Sequence, residues 1–175
     1  MEGVELPDIP LKANPLLRTL TDHGVEFVIV GGLAGLAHGS AYPTFDLDVS
    51  YARDRENIAR MAAALLSIGV TLRGAPSDLP FQVDARTIEN GANFTFDSPY
   101  GSFDILGHVP GIKSYGELRA GSVEVEIEGR RVRVASIDHL IAMKRAANRT
   151  KDKLMVEEYI VLADEHRRRD ESAAD

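Results

Sequence analysis

The chain has 175 residues, 44% of them hydrophobic, and a formal net charge of −7. That size and apolar content suit one folded domain and exclude a disordered chain. The lack of cysteine excludes a disulfide framework or a zinc–thiolate site, and the acidic balance argues against a general nucleic-acid binder.

No apolar run approaches the length of a membrane span, and the start MEGVELPDIPLKANP has no basic region followed by an apolar one. A cytoplasmic protein without membrane contact is therefore expected. The charge is unevenly spread: residues 1–110 carry −7, residues 111–169 carry +3, and the last six carry −3. A local basic surface in the C-terminal half could still hold a phosphate or a tRNA end.

Asn14-Pro15 reads as the cap and first position of a helix whose stripe is Leu16, Leu17 and Leu20, ended by Gly24. Val25–Val30 is short and β-branched, which predicts a buried strand. Gly31-Gly32 and a small-residue helix over Leu33–His38 follow. A strand over Asp46–Tyr51 leads to a helix over about Asn57–Ile68, with Asp54 as a cap just ahead of it. Val70–Arg73 reads as a short edge strand and Gly74–Pro80 as loop. Asn93–Phe96 and Ser102–Gly107 form a hairpin around Asp97–Gly101, and Val123–Ile127 and Arg131–Val134 form a second. Between them, at most one helical turn is expected at Tyr115–Leu118. Ser136 caps a helix to about Ala147, and Thr150 caps a last helix to about Glu165. The charged tail, 166–175, is expected to fray. The pattern predicts an α/β domain over residues 1–165: a mixed β-sheet core over about 25–135, flanked by helices, closed by two C-terminal helices over 136–165.

Asp46 and Asp48 are two apart on a predicted strand, so both project to one face while Leu47 and Val49 enter the core. Two such carboxylates repel by roughly 4 kcal/mol at about 4 Å and an effective dielectric of about 20. A shared cation removes that cost, and oxygen-only ligands favour magnesium or manganese. Asp104, between Phe103 and Ile105, points away from the core on its own strand. It would join the pair if the two strands were neighbours. The chemistry indicated is metal-dependent phosphoryl or nucleotidyl transfer, with Asp46 and Asp48 on the metal that carries the triphosphate. Asp104 would complete a second metal site and help deprotonate the attacking hydroxyl.

Gly31 and Gly32 allow a tight strand-to-helix turn and could present backbone N–H groups to phosphate. Ser40 and Thr44 are hydroxyls that either touch phosphate or cap turns, and a lone His38 reads as packing. Lys144 lies at the edge of an apolar helical face, where it either snorkels or neutralises a triphosphate. Asp152 is either a first-turn acid or an orienting partner for Lys144. Arg145, Arg149, Lys151 and Lys153 read as a solvated basic face.

The segment VGGLAGLAHGSAYPTFDLDVSY resembles the signature of the polymerase-β-like nucleotidyltransferase superfamily: apolar-Gly-Gly, a spacer, then Asp-x-Asp on a strand. GANFTFDSPYGSFDILG and VRVASIDHLIAMKRAANRTKDK resemble small bacterial members grouped with the AbiEii-type nucleotidyltransferase toxins. The resemblance covers about residues 25–165. It implies the nucleotidyltransferase fold and transfer of an NMP from an NTP. The implied metal ligands are Asp46, Asp48 and Asp104 on Mg2+ or Mn2+. Gly31 and Gly32 match the nucleotide-binding turn, and Lys144 a lysine near the phosphates. It further implies a tRNA or protein acceptor and a cognate antitoxin. Other small members adenylylate antibiotics, and a binding module without turnover is a further alternative. The chain departs from the pattern at Tyr42, where relatives often carry arginine, and at Asn148 and Thr150, where they often carry Gly and Pro.

Overall fold

The structure is a computed structural model that describes residues 3–4, 11–76 and 78–174. Ser77, in the expected loop, and Asp175, in the expected tail, lie outside the described residues. The strands are β1 (Gly3–Val4), β2 (Phe27–Val30), β3 (Asp46–Tyr51), β4 (Thr71–Leu72), β5 (Asn93–Ser98), β6 (Gly101–Leu106), β7 (Val123–Ile127) and β8 (Arg130–Val134). The helices are α1 (Ala13–Asp22), α2 (Gly31–Ala37), α3 (Arg55–Ile68), α4 (Ala85–Asn90), α5 (Tyr115–Gly121), α6 (Ile137–Ala147) and α7 (Thr150–Ala173). The fold is α/β, as the interleaving of elements predicts.

Among the described residues one mixed eight-stranded sheet runs in the order β1-β7-β8-β2-β3-β6-β5-β4. β3 lies antiparallel to β2 and parallel to β6, so two strands far apart in sequence become neighbours. Leu47 and Val49 of β3 are fully buried, as are Phe103 and Ile105 of β6. They pack in one core with Met61 and Leu65 of α3 and with Leu16, Leu17 and Leu20 of α1. Burying these inward positions turns the alternate residues of both strands outward to one face.

α3 begins on Asp54, whose side chain accepts from the Asn57 N–H, and ends on Gly69 at φ 70°. The Asn57 side chain is itself buried. Its amide donates to the carbonyls of Glu26 and Ala52 and accepts from the Glu26 N–H. It thereby fixes the exit of β3 against the entry to β2.

Several elements depart from the sequence expectation, β1 among them, since no strand was expected at Gly3–Val4. α1 starts at Ala13 on Lys12 without a side-chain cap, which places Pro15 at the third helical position. Proline is tolerated there because first-turn N–H groups lack intrahelical acceptors anyway. α4 was not foreseen. It has one buried residue, Ile88, and so no stripe to read, but Asp84 caps it by accepting from the Thr87 N–H. α5 reaches Gly121 rather than stopping at Leu118, starting on Ser114, which accepts from the Glu117 N–H. α7 follows Arg149 as its cap residue, so Thr150 is its first helical residue and not its cap. It continues to Ala173, through the tail expected to fray, supported by the Arg167–Asp164 pair. A charge pair of this kind supports the last turns of a helix whose apolar face, Met155, Val156, Tyr159, Leu162 and Ala163, ends before them.

Among the described residues no helix is long and apolar enough to cross a membrane.

Candidate active site

A cleft of about 650 Å³ opens where β3 and β6 meet α2 and α6. Asp46, Asp48, Asp104, Gly31, Gly32, Thr44 and Lys144 all line it. Asp48 and Asp104 stand directly opposite each other in the parallel β3–β6 register, with Asp46 one pleat further along opposite Ser102. The three acids therefore share one face of two neighbouring strands.

The glycines at the start of α2 set how closely the chain passes over those acids. Gly31 has φ 66°, and a Cβ placed on it would run into the Asp48 carboxylate. A Cβ on Gly32 would come within 2.6 Å of the Thr44 hydroxyl. Both positions require glycine for space, and Gly31 requires it for backbone angle as well. The glycine pair is thus the first turn of α2 rather than a lead-in to a helix at Leu33.

Ser40 is the expected site residue that the structure does not bring to the cleft. Its hydroxyl is buried and donates to Glu158 Oε2 at 2.6 Å, tying the loop before β3 to α7. Thr44 is buried at the cleft wall and donates to the Asp46 carbonyl at 3.1 Å, bracing the strand that carries the acids. His38 Nε2 lies 2.8 Å from the Ala135 carbonyl and has a packing role. Burial holds its pKa below the ordinary value, despite that contact.

Lys144 Nζ is 3.0 Å from Asp152 Oδ1, and Arg149 Nε is 3.0 Å from Asp152 Oδ2. Asp152 is 1% exposed, so this carboxylate is the buried post on which both cations are mounted. Burial works against its ionisation, but the bonds from Lys144 and Arg149 outweigh it and hold the carboxyl below the usual range. Arg149 and Lys151 also line the cleft, and Arg145 and Lys153 stay exposed beside it.

Asp104 has a partner, Arg73, that no sequence pattern marks. Arg73, just after β4, reaches across β5 and places Nη2 2.7 Å from Asp104 Oδ1. The same guanidinium donates to the Phe96 carbonyl at 2.9 Å and to Asp97 Oδ1 at 3.3 Å. Charge at the site is therefore lopsided. Burial, then Asp104, then Asp46 push the Asp48 carboxyl up to about 7, with only partial relief from Lys144 and Arg73. Asp104 is also raised by burial, but Arg73 opposes that rise.

Asp46 and Asp48 suit one magnesium or manganese ion, which is ordinarily held by one or two carboxylates plus water and substrate phosphates. The uncompensated repulsion on Asp48 is what such an ion would relieve. A set that takes in Asp104 fits less well. Among the described residues no group of three His, Cys, Asp or Glu side chains is arranged around a common ion, and Asp104 Oδ1 already faces Arg73.

Solved structures share this architecture. It is the nucleotidyltransferase fold, at identities low enough that the likeness is one of fold. A lincosamide antibiotic adenylyltransferase, LnuA, with lincomycin bound, superposes with a TM-score of 0.57 at 12% identity, over 86% of this chain and 95% of that one. A Thermotoga maritima protein assigned as a nucleotidyltransferase gives 0.55 at 13%, over 85% and 89%. The antibiotic-resistance factor ANT(2'')-Ia gives 0.51 at 16%, over 93% and 92%. No protein-family model matches the chain, and no curated protein does.

Proposed function

We propose that the protein is a metal-dependent nucleotidyltransferase, moving an NMP from an NTP to an acceptor hydroxyl. The observation that carries this reading is the convergence of Asp46, Asp48 and Asp104 on one cleft whose opposite wall holds Lys144. Asp46 and Asp48 would hold Mg2+ or Mn2+, which would supply electrophilic assistance at the phosphates. Lys144, oriented by Asp152, meets the negative charge of the triphosphate. Gly31 and Gly32 leave the space above the acids into which it fits. Asp104 Oδ2, the oxygen not facing Arg73, takes the proton of the acceptor hydroxyl. The acceptor oxygen bonds to the α-phosphorus, the bond from that phosphorus to the β-phosphate oxygen breaks, and pyrophosphate leaves with the electron pair.

The exposed Arg145, Arg149, Lys151 and Lys153 beside the cleft favour a large, anionic acceptor. This supports the toxin reading, with tRNA or a protein as acceptor and a cognate antitoxin as partner. A second reading is favoured by the apolar side of the same cleft, where Tyr42, Phe45, Met143 and Met155 would suit a small-molecule acceptor. Two of the structural neighbours are named for antibiotics.

Incubation with each α-labelled NTP, in the presence of total tRNA or of an aminoglycoside and lincosamide panel, distinguishes these readings by which species becomes labelled. Magnesium plus one NTP is expected to raise the melting temperature by mass action, and Asp46→Asn with Asp48→Asn to remove that rise. No label and no shift with any of the four NTPs would remove the catalytic reading.

A further inference from the structure

Asp104 carries the most specific contact in the cleft. Arg73 is anchored from three directions: to the Asp104 carboxylate, to the Phe96 carbonyl and to the Asp97 carboxylate. Its own backbone N–H donates to the Thr95 carbonyl at 3.0 Å, and Thr95 is the β5 residue directly opposite Asp104. The guanidinium is thus fixed at both ends of its side chain, and its position depends on the edge of the sheet rather than on any ligand. Its side chain is 33% exposed and that of Asp104 15%, so the pair sits at the margin of the cleft with limited access to water.

A second divalent ion would have to share Asp104 with this guanidinium. Two cations on one carboxylate repel each other, and a planar guanidinium bonded to carboxylate and carbonyl oxygens is not readily displaced. One divalent ion and one guanidinium, by contrast, match the charge of the three cleft carboxylates, and the fourth, Asp97, is 53% exposed to solvent.

Building on the nucleotidyltransferase reading, we propose that Arg73 is the site's second cation, a positioning residue that holds Asp104 outside the metal's coordination sphere. The cleft then takes one divalent ion, on Asp46 and Asp48. Asp104 keeps one oxygen on Arg73 and the other turned to the acceptor. The number of ions in the cleft then depends on Arg73, which a purely structural role would not govern.

The test is a count of Mn2+ bound per chain, by paramagnetic resonance on the full chain with α,β-methylene ATP, GTP, CTP and UTP in turn. One ion per chain is expected for the wild type, one for Arg73→Lys, and two for Arg73→Gln, where Asp104 is freed to bind metal. Two ions in the wild type would overturn the proposal and leave the nucleotidyltransferase reading intact. One ion in a folded Arg73→Gln would overturn it equally. If that variant does not fold, the wild-type count decides alone. No bound ion with any of the four analogues would sink the nucleotidyltransferase reading, and this proposal with it.

Discussion

Asp48 and Asp104 face each other across two parallel strands, yet only Asp104 has a guanidinium bonded to it. Asp48 is left with its burial and two negative neighbours, which lift its pKa from 3.8 to about 7. The folded chain therefore holds that proton more tightly than the unfolded chain does. The stability this confers is complete below pH 3.8 and is lost as pH climbs through about 7. On the scale of pKa linkage the loss is on the order of 2–4 kcal/mol.

In chelator, the melting temperature of the wild type should fall more steeply between pH 5 and pH 8 (roughly the span of this titration) than that of Asp48→Asn. The variant should be the more stable of the two at the alkaline end. Parallel curves for the two proteins would show that Asp48 ionises as an ordinary carboxylate.

Gly31→Ala puts a methyl group into the Asp48 carboxylate at a backbone angle that alanine disfavours. The expected result is loss of the melting-temperature rise with magnesium and NTP, together with a destabilisation of about 1–3 kcal/mol. Denaturant titration measures the second effect and a thermal shift assay the first. A variant that keeps the full nucleotide response would show that α2 can withdraw from β3 without cost to the cleft.

Asp152→Ala removes the buried carboxylate that holds Lys144 and Arg149. Breaking a buried pair leaves a charge without its partner, here at a cost of about 2–4 kcal/mol, since Lys144 keeps some contact with water. Asp152→Asn should recover part of that loss, because the amide oxygen still accepts one bond. Equal stability of the two variants would mean that the amide recovers nothing and that the carboxylate charge carries the whole effect.

Asn57→Ala is expected to leave the nucleotide response intact while lowering stability by about 3 kcal/mol, because one side chain satisfies three backbone groups. For a chain of this size the melting temperature should drop by about 6–12 °C. A drop within about 1 °C would mean that water replaces the amide at no cost.

The strands that carry the acids were legible because alternation is strict. Leu47 and Val49 go in while Asp46 and Asp48 go out, and Phe103 and Ile105 go in while Asp104 goes out. Capping made α3 and α6 readable through Asp54 and Ser136. Arg73 was not legible. It reaches Asp104 only because β5 lies between β4 and β6, and strand order leaves no periodic trace in a sequence. Ser40 misled for a related reason, since its partner Glu158 lies far along the chain on α7. The end of α7 was missed because local charge pairing, and not an apolar stripe, sustains it.

The three acids are all in place once residue 104 has been made, but Lys144 and its post Asp152 come from the last two helices. A ribosome therefore delivers the anionic side of the cleft well before the cationic side. A half-translated chain carries the three acids with Arg73 but without Lys144. The cleft exists only once α6 and α7 have docked.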